Sequence, residues 1–167
     1  MDIEGKIGII TGAASGIGRA AAIELQKHKI ATIALVDLSD GIVELAKELN
    51  RMRGNTIAIP FQGDATDHDF RKHVFNHMRE NYGAVNICVP AAGITRDALA
   101  VKLNKEKGTA NIYPIENFRQ VVEVNLIAPT YWALEMVAQL AESRFSRGLK
   151  KWTPNEGTQG VVIFIGS

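Results

Sequence analysis

The sequence predicts an α/β fold in which a doubly wound parallel sheet carries helices on both faces. Short apolar runs alternate along the chain with segments of helical periodicity. The runs are apolar throughout and not at every second position, which is typical of parallel strands that are buried on both faces. Right-handed crossovers between such strands place helices on both sides of the sheet. The length of 167 residues fits one domain or a piece of one, and we assign residues 1–167 to a single, incomplete domain.

The strands and helices are predicted from these patterns in chain order. Strands are predicted at residues 6–11, 31–37, 56–61, 85–89 and 161–165. Helices are predicted at residues 16–28, 41–53, 67–81 and 115–143. The second helix shows the pattern most clearly, with apolar residues at i, i+3, i+4 and i+7. These residues are Ile42, Leu45, Ala46 and Leu49.

Two polar stretches, residues 104–113 and 146–160, are long for connections in such a fold. Both are predicted to be surface insertions. They are either irregular segments or a lid that faces the substrate, since loops on a rigid scaffold often contribute to function.

The last predicted helix, residues 115–143, is apolar around most of its circumference. Its apolar residues are Phe118, Val121, Val122, Val124, Leu126, Ile127, Tyr131, Trp132, Leu134, Met136, Val137 and Leu140. A helix that is apolar all round is buried on both sides. One side can face the sheet, and the other then needs a second subunit or a further part of a longer chain. We therefore expect a homodimer or homotetramer that associates through this helix.

Composition and charge exclude several classes of protein. Hydrophobic residues make up 46% and charged residues 22%, so the chain is neither disordered nor collagen-like. The net charge of +1 predicts no nucleic-acid or membrane partner. No apolar run approaches the roughly 18 residues of a membrane helix. Cys88 is the single cysteine, which favours a reducing compartment. We expect a cytoplasmic protein, with a mitochondrion or another organelle as the alternative.

Three histidines lie close together on the third predicted helix. His73 and His77 are separated by one helical turn, and His68 is nearby. No further ligand is placed by the sequence at a spacing that zinc sites use. We therefore interpret these residues as a solvated helix face and predict no metal site.

A glycine-rich turn follows the first predicted strand and opens the first predicted helix. It reads Thr11-Gly12-Ala13-Ala14-Ser15-Gly16-Ile17-Gly18, with the spacing Gly-x-x-x-Gly-x-Gly. Glycines permit a tight turn and let the backbone approach a pyrophosphate, which binds at a helix N-terminus. This strand–turn–helix context predicts a dinucleotide-binding site.

Asp37 ends the second predicted strand, 19 residues after Gly18. An acid about 20 residues beyond the glycines hydrogen-bonds the ribose diol of a dinucleotide. A carboxylate there repels a 2′-phosphate, and no Lys or Arg stands next to Asp37 or within the glycine turn. These features favour NAD over NADP. The alternative is that Asp37 caps the next helix, a role that Ser39 or Asp40 can also take.

Asp64 and Ala65 follow the third predicted strand, at the sheet edge where ligands bind in doubly wound folds. A contact with the edge of an adenine ring is one interpretation. The other is that Asp64 caps the next helix, although Asp67 is better placed for that role.

Together these motifs resemble the classical short-chain dehydrogenase/reductase family. The shared features are the Thr-Gly-x-x-x-Gly-Ile-Gly turn, the acid after the second strand, Asp64-Ala65, Ala91-Ala92-Gly93 and Asn125 in the long helix. Residues 93–97 are similar to 3-oxoacyl-carrier-protein reductases. Residues 103–113 and 115–118 are more similar to the 3-hydroxyacyl-CoA (type 10 hydroxysteroid) branch. The resemblance implies a Rossmann fold.

The resemblance also implies roles for individual residues. The implied cofactor-binding residues are Gly12, Ser15, Gly16, Ile17 and Gly18 at the pyrophosphate, Asp37 at the adenosine ribose, Asp64 and Ala65 at the adenine, and Ala91, Ala92 and Gly93 after the fourth strand. Two catalytic residues are implied. Asn125 would support a proton-relay water, and Ser167 would hydrogen-bond the substrate carbonyl.

The sequence departs from the family pattern at two places. The family usually has Asn-Asn-Ala-Gly after the fourth strand, where this chain has Pro90-Ala91-Ala92-Gly93. The family's Tyr-x-x-x-Lys lies about a dozen residues beyond the serine, whereas this chain ends at Ser167. We therefore expect that the chain is the N-terminal portion of a longer enzyme, without the later strands and helices, and that the 167 residues alone are inactive because general acid–base catalysis is missing.

The sequence thus predicts an NAD-dependent oxidoreductase that interconverts a secondary alcohol and a ketone. The substrate is a 3-oxoacyl or 3-hydroxyacyl thioester or a steroid-like ketone. The alternative is a non-catalytic NAD(H)-binding sensor or assembly subunit, which the altered residues Pro90 and Ala91 favour.

Overall fold

A computed structural model describes residues 2–53, 57–149, 151–153 and 156–166. The helices are α1 (Gly16–Lys27), α2 (Gly41–Arg53), α3 (His68–Asn81), α4 (Ile115–Val122) and α5 (Ala128–Ser146), with a π turn (Glu123–Ile127) between the last two. The strands are β1 (Ile7–Thr11), β2 (Thr32–Asp37), β3 (Ala58–Gln62), β4 (Ile87–Pro90), β5 (Val101–Asn104), β6 (Thr109–Ile112) and β7 (Val161–Val162). Among the described helices, none combines the length and the apolarity needed to cross a bilayer.

The central sheet has five parallel strands in the order β3-β2-β1-β4-β7. All five residues of β1 are buried, and Ile9 lies between Ala34 of β2 and Cys88 of β4. This confirms the predicted doubly wound parallel sheet. The strand order reverses between β1 and β4, and ligands of such folds bind in the crevice beyond the carboxyl ends of the strands at this point.

The two faces of the sheet bury separate apolar cores. Neighbouring residues of β1 point to opposite faces, so Ile10 packs in the core beneath α1 and α2 while Ile9 packs in the core beneath α3 and α5. The second core contains Phe75 and Trp132, whose ring centroids are 5.6 Å apart. Trp132 is fully buried, so α5 is anchored to the sheet by its largest side chain.

Several predicted boundaries agree with the structure for identifiable reasons. Asp67 caps α3, because its side chain accepts a hydrogen bond of 2.7 Å from the Phe70 amide. The side chain of Asn50 accepts hydrogen bonds from the amides of Ile57 and Ala58, which orders the chain at the start of β3. The predicted third strand began at Thr56, which lies outside the described residues.

The first predicted insertion is a β-hairpin and not an irregular loop. Strands β5 and β6 pair antiparallel, with Val101 opposite Ile112 and Leu103 opposite Ala110. These two pairs share one face, which is therefore apolar, yet β5 and β6 are almost entirely exposed. The alternation of apolar and polar residues in 101–104 is the signal that would have predicted a strand.

The predicted helix 115–143 is divided by the π turn. The Ala128 amide donates to the Glu123 carbonyl, five residues back. Pro129 explains the change, because proline has no N–H to donate to the carbonyl four residues before it. A π turn accommodates this loss within a continuous helical path. The prediction of one regular helix overlooked this proline.

Strand β7 is shorter than predicted and ends at Val162 instead of residue 165. The Ile163 amide still donates to the Cys88 carbonyl at 2.9 Å. The next bond of a parallel ladder would run from the N–H of residue 90 to the Ile163 carbonyl, and Pro90 has no N–H. The same proline that departs from the family pattern therefore shortens the last strand.

Candidate functional site

A cleft of about 910 Å³ lies at the carboxyl edge of the sheet, between the loops that follow β1, β2, β3 and β4 and the helical segment of α4 and the π turn. Its lining residues are Gly12, Ser15, Gly16, Ile17, Gly18, Asp37, Leu38, Gly63, Asp64, Ala65, Thr66, Ala91, Ala92, Gly93, Ile94, Arg96, Arg119, Gln120, Glu123 and Val124. The structure thus brings together every residue predicted to contact the cofactor.

The glycine turn brings backbone segments closer than any side chain would allow. A methyl group added at Gly18 would lie 2.2 Å from the Gly12 carbonyl oxygen, and one added at Gly12 would lie 2.7 Å from the Ala92 amide nitrogen. Ser15 precedes α1 without a capping hydrogen bond from its side chain. The first amides of α1 thus have no side-chain cap, and the residues that carry them line the cleft. A helix N-terminus of this kind binds anions.

Ile17 is 60% exposed where it lines the cleft. Leu25, two turns further along α1, is buried instead. An exposed isoleucine at the first turn of a helix is suited to contact a ligand and not the core.

Asp37 links the end of β2 to the glycine turn. One carboxylate oxygen accepts a hydrogen bond from the Ala14 amide at 3.0 Å, and the other accepts one from the Ser39 amide at 2.9 Å. A carboxylate has about four acceptor sites, so two remain to accept the hydroxyl groups of a ribose. The bond to Ala14 was not foreseen from the sequence. Asp37 does not accept from the first amide of α2. That amide, of Gly41, donates to the Ser39 hydroxyl.

Asp64 and Ala65 lie on the other side of the same cleft. One oxygen of Asp64 accepts from both the amide and the hydroxyl of Thr66, each at 2.8 Å. The carbonyl of Ala65 accepts a 2.8 Å hydrogen bond from the indole of Trp132. Trp132 is therefore a positioning residue that sequence reasoning missed, because nothing local in the chain connects α5 to the loop after β3.

Asn125 joins the π turn to the loop after β4. Its side-chain oxygen accepts from the Ile94 amide at 2.9 Å, and its side-chain nitrogen donates to the Ile94 carbonyl at 2.8 Å. A methyl group added at Gly93 would lie 3.5 Å from the same oxygen. The structure thus places the predicted catalytic residue Asn125 against the backbone of the cleft wall.

The loop after β4, where this chain lacks the two asparagines of the family, is bound to Thr11. The Thr11 carbonyl accepts from the Ala91 amide at 3.2 Å, and its hydroxyl accepts from the Ala92 amide at 3.1 Å. Pro90 is buried at the end of β4 opposite Thr11.

A second cavity of about 540 Å³ adjoins the first and shares three of its lining residues. It is lined by Pro90, Ala91, Ala92, Gly93, Asn125, Leu126, Pro129, Thr130, Phe164, Ile165 and Gly166. Its walls are mostly apolar, which suits the carbon skeleton of a small substrate. The predicted catalytic residue Ser167 lies outside the described residues.

Two other candidate groups have ordinary structural environments. Cys88 is buried in β4, and burial raises the pKa of its thiol to about 12, so the reactive thiolate is scarce near neutral pH. The rings of His73 and His77 pack edge-on against Phe61, at centroid distances of 6.2 and 5.3 Å. Within the described part of the chain, no three His, Cys, Asp or Glu side chains are grouped closely enough to hold a metal ion.

Comparisons with known proteins agree with this geometry. The family model described as short chain dehydrogenase matches residues 6–167. A 3-oxoacyl-acyl-carrier-protein reductase of Thermotoga maritima is 37% identical over 127 residues, which are 73% of this chain and 50% of that protein. The 3-hydroxyacyl-CoA dehydrogenase type-2 of Rattus norvegicus is 31% identical over 162 residues, which are 96% of this chain and 55% of that protein.

Solved structures share the fold. A short chain dehydrogenase/reductase from Burkholderia phymatum in complex with NAD superposes with a TM-score of 0.70 at 20% sequence identity, covering 86% of this chain and 47% of that one. The chain thus spans about half the length of the relatives it matches.

Proposed function

Since the chain belongs to the short-chain dehydrogenase family, we propose that it is an NAD(H)-dependent oxidoreductase that interconverts a secondary alcohol and a ketone. The observation that carries the proposal is the arrangement of Asp37 opposite the N-terminus of α1 in one cleft. The carboxylate offers acceptors for ribose hydroxyls, and the α1 amides offer donors for a pyrophosphate. When bound, the nicotinamide supplies hydride transfer to or from the carbonyl carbon.

The surroundings of Asp37 favour NAD over NADP. The next residue, Leu38, is 67% exposed and carries no charge that could pair with a 2′-phosphate. Arg19, the cation nearest to the glycine turn in sequence, forms an ion pair of 2.8 Å with Glu48. Two other cations, Arg96 and Arg119, line the opposite wall of the cleft. The carboxylate itself would repel a 2′-phosphate, which leaves the unphosphorylated ribose as the better ligand.

The substrate is proposed to occupy the second cavity, beside Gly93 and Asn125. Asn125 holds the loop after β4 and would support a water that relays a proton, while Ser167 would hydrogen-bond the carbonyl. Two relatives act on 3-oxoacyl and 3-hydroxyacyl groups by name, which supports a 3-oxoacyl or 3-hydroxyacyl thioester, with a steroid-like ketone as the alternative. The 167 residues alone are expected to bind NADH without measurable turnover, because they contain no Tyr-x-x-x-Lys to provide general acid–base catalysis.

Self-association through the α4–α5 segment is proposed as well. The side of α5 that faces the sheet is buried, whereas large apolar side chains on the rest of the segment are about half exposed or more. These side chains are Phe118 at 57%, Leu126 at 61%, Tyr131 at 50%, Leu134 at 53% and Val137 at 54%. Leu134→Glu is expected to shift the protein toward monomer in sedimentation equilibrium, and Leu99→Glu, at another exposed leucine, is the matched control. An unchanged mass distribution for both variants would exclude this face.

Titration with NADH, followed by nicotinamide fluorescence, tests the cofactor site. Asp37→Ala is expected to weaken binding by about 1–3 kcal/mol, since it removes charged acceptors. The same substitution also removes the bond to the Ala14 amide, so the free energy of unfolding is measured in parallel. A loss of NADH affinity without matching loss of stability supports the ribose contact. Unchanged affinity would reject it.

The alternative function is a non-catalytic NAD(H)-binding module, which the replacement of the family's asparagines by Pro90 and Ala91 favours. The intact mass of the natural protein separates the two. A mass well above 18.2 kDa, with C-terminal peptides that contain Tyr-x-x-x-Lys, supports the dehydrogenase. A mass of 18.2 kDa together with NADH binding supports the module.

A further inference from the structure

The C-terminal end of α5 and the residues that follow it present an exposed mixture of apolar and cationic side chains. Trp152 is 67% exposed, Phe145 66% and Leu149 40%. Arg147 and Lys151, also exposed, stand between them in the sequence. We call these five residues the basic–aromatic patch.

Local hydrogen bonds fix the start of the patch in place. The Leu149 amide donates to the Arg144 carbonyl, and the Gly148 amide donates to the Phe145 carbonyl, both at 2.9 Å. Gly148 has a φ of +77°, so α5 ends in a Schellman motif. Leu149 is therefore held beside the last turn of α5.

A second set of contacts holds the residues on both sides of Trp152. The Arg144 guanidinium donates to the Lys151 carbonyl at 3.2 Å and forms an ion pair with Glu156. The Glu156 carboxylate in turn accepts from the Thr153 amide at 3.1 Å. We call Arg144, Thr153 and Glu156 the clasp. The clasp thus holds the backbone on both sides of the exposed Trp152.

The charge of the patch is not compensated nearby. The sequence has no Asp or Glu from residue 143 to residue 155. The two flanking carboxylates are already engaged, Glu142 by Arg79 and Glu156 by Arg144. Among the described residues, neither Arg147 nor Lys151 forms a salt bridge. Their positive charges are therefore available to pair with an anionic partner. The whole-chain charge of +1 conceals this local excess.

The segment that carries the patch leads to the amino end of the sheet, opposite to the cleft. The segment after α5 leads into β7 at the amino end of the sheet, where the Val161 amide donates to the Asn86 carbonyl and the Asn86 side chain donates to the Gln159 carbonyl. The cleft is at the carboxyl end. A surface bound to the patch would leave the cleft open to solvent.

We propose that the basic–aromatic patch docks the protein on an anionic phospholipid surface. Tryptophan prefers the water–lipid boundary because its ring is apolar and its N–H is polar, and Lys and Arg are attracted to anionic headgroups. A protein partner fits less well, since stable protein interfaces use roughly 20–30 residues a side. Five side chains at a helix end are enough for a fluid surface that adapts to them. The proposal does not depend on the oxidoreductase activity.

Vesicle sedimentation and tryptophan fluorescence test the proposal. The protein is expected to sediment with vesicles of phosphatidylcholine and phosphatidylserine, and not with phosphatidylcholine alone. Binding should weaken as salt is added, because exposed charges are screened. The emission of Trp152 should shift to shorter wavelength on binding. Trp132 is buried in the core, so Trp152→Phe is expected to abolish the shift while the buried signal remains.

Single substitutions then assign the binding to the patch. Trp152→Ala is expected to weaken vesicle binding at least about tenfold, and Lys151→Ala about fivefold. Leu99→Ala and Lys102→Ala, at exposed residues outside the patch, are the matched controls and should bind like the unaltered protein. Circular dichroism confirms that each variant is folded.

Three results would overturn the proposal. The first is no sedimentation with phosphatidylserine vesicles at low salt. The second is binding that Trp152→Ala and Lys151→Ala leave unchanged. The third is binding to an acidic peptide such as polyglutamate, with the same dependence on Trp152, in the absence of any vesicle binding. That last result would assign the patch to a protein partner.

Discussion

Two segments of the chain differ in how much of their apolar surface is buried. The first runs from β1 to β4, and the second from residue 93 to residue 166. In the first, polar side chains such as those of Asp37, Asn50 and Asp67 bind backbone of the same segment. Its strands are covered on one face by α1 and α2, and on the other by α3 together with α5 of the second segment. In the second, no described residue of α4 or the π turn is buried, and the β5–β6 hairpin is exposed. The first segment supplies more than half of the residues that line the cleft. The second mainly presents surfaces to ligands and partners.

The largest loss of stability and of NADH binding is expected at the glycine turn, where the backbone leaves no room for a side chain. Gly18→Ala would place a methyl group 2.2 Å from the Gly12 carbonyl, which is backbone and cannot move aside. We expect a loss of at least about 3 kcal/mol in the free energy of unfolding. NADH binding should fall below detection, because the glycine turn must open. Urea unfolding and NADH titration measure the two effects.

Gly157→Ala is the matched control for the second segment. Nothing lies within 4 Å of a methyl group added there, and its φ is not in the left-handed region. Stability and NADH binding should be unchanged. If Gly157→Ala were as damaging as Gly18→Ala, the contrast between the two segments would be wrong.

The two tryptophans both belong to the second segment, but only Trp132 is buried against the first, so they compare a side chain that joins the segments with one that is exposed. Trp132→Phe removes the hydrogen bond to the Ala65 carbonyl and leaves a void next to Phe75. We expect a loss of about 2 kcal/mol in the free energy of unfolding. Trp152→Phe, at a side chain that is 67% exposed, should change stability by less than about 0.5 kcal/mol.

NADH affinity adds a second measurement to the Trp132→Phe variant. The loop with Asp64 and Ala65 lines the cleft, so a loosened loop should weaken NADH binding several-fold. A variant that loses stability but binds NADH normally would show that Trp132 supports the core without positioning the site.

Asn125 joins the π turn to the loop after β4 within the second segment, and its loss should have a smaller effect. Asn125→Ala removes both hydrogen bonds to the backbone of Ile94. We expect a loss of about 1 kcal/mol in stability and faster hydrogen exchange at the Ile94 amide. Asn111→Ala, in the exposed strand β6, is the control. Equal exchange at Ile94 in both variants would contradict the link.

The sequence predicted the first segment well because its signals are local. Glycine spacing, buried strands and an N-cap such as Asp67 are each readable within a few residues. The fold class, the glycine turn and the position of Asp37 follow from these signals. The contacts that arrange the site could not be predicted, because Trp132 meets Ala65 and Thr11 meets Ala92 only after folding.

The π turn and the early end of β7 had local signals in the sequence that hydrophobic periodicity does not report. Pro129 marks the π turn, and Pro90 ends the pairing of β7. In both cases a missing N–H decides the outcome, and hydrophobic patterning does not report hydrogen-bond donors.

The clasp should give the smallest effect and a distinctive pH dependence. The hydrogen bond from Arg144 lowers the pKa of Glu156 below its ordinary value of 4.5, so the ionised carboxylate stabilises the folded loop above that pH. The stabilisation should disappear as the pH falls through the lowered pKa, because the protonated group no longer attracts Arg144. Hydrogen exchange at the Thr153 amide, which donates to Glu156, reports this locally. Glu156→Gln should exchange faster than the unaltered protein at neutral pH, and the two should converge once the pH is below the lowered pKa of Glu156. Glu106→Gln, in the turn between β5 and β6, is the control and should leave Thr153 unchanged. A difference between Glu156→Gln and the unaltered protein that persists at low pH would show that the clasp depends on shape and not on charge.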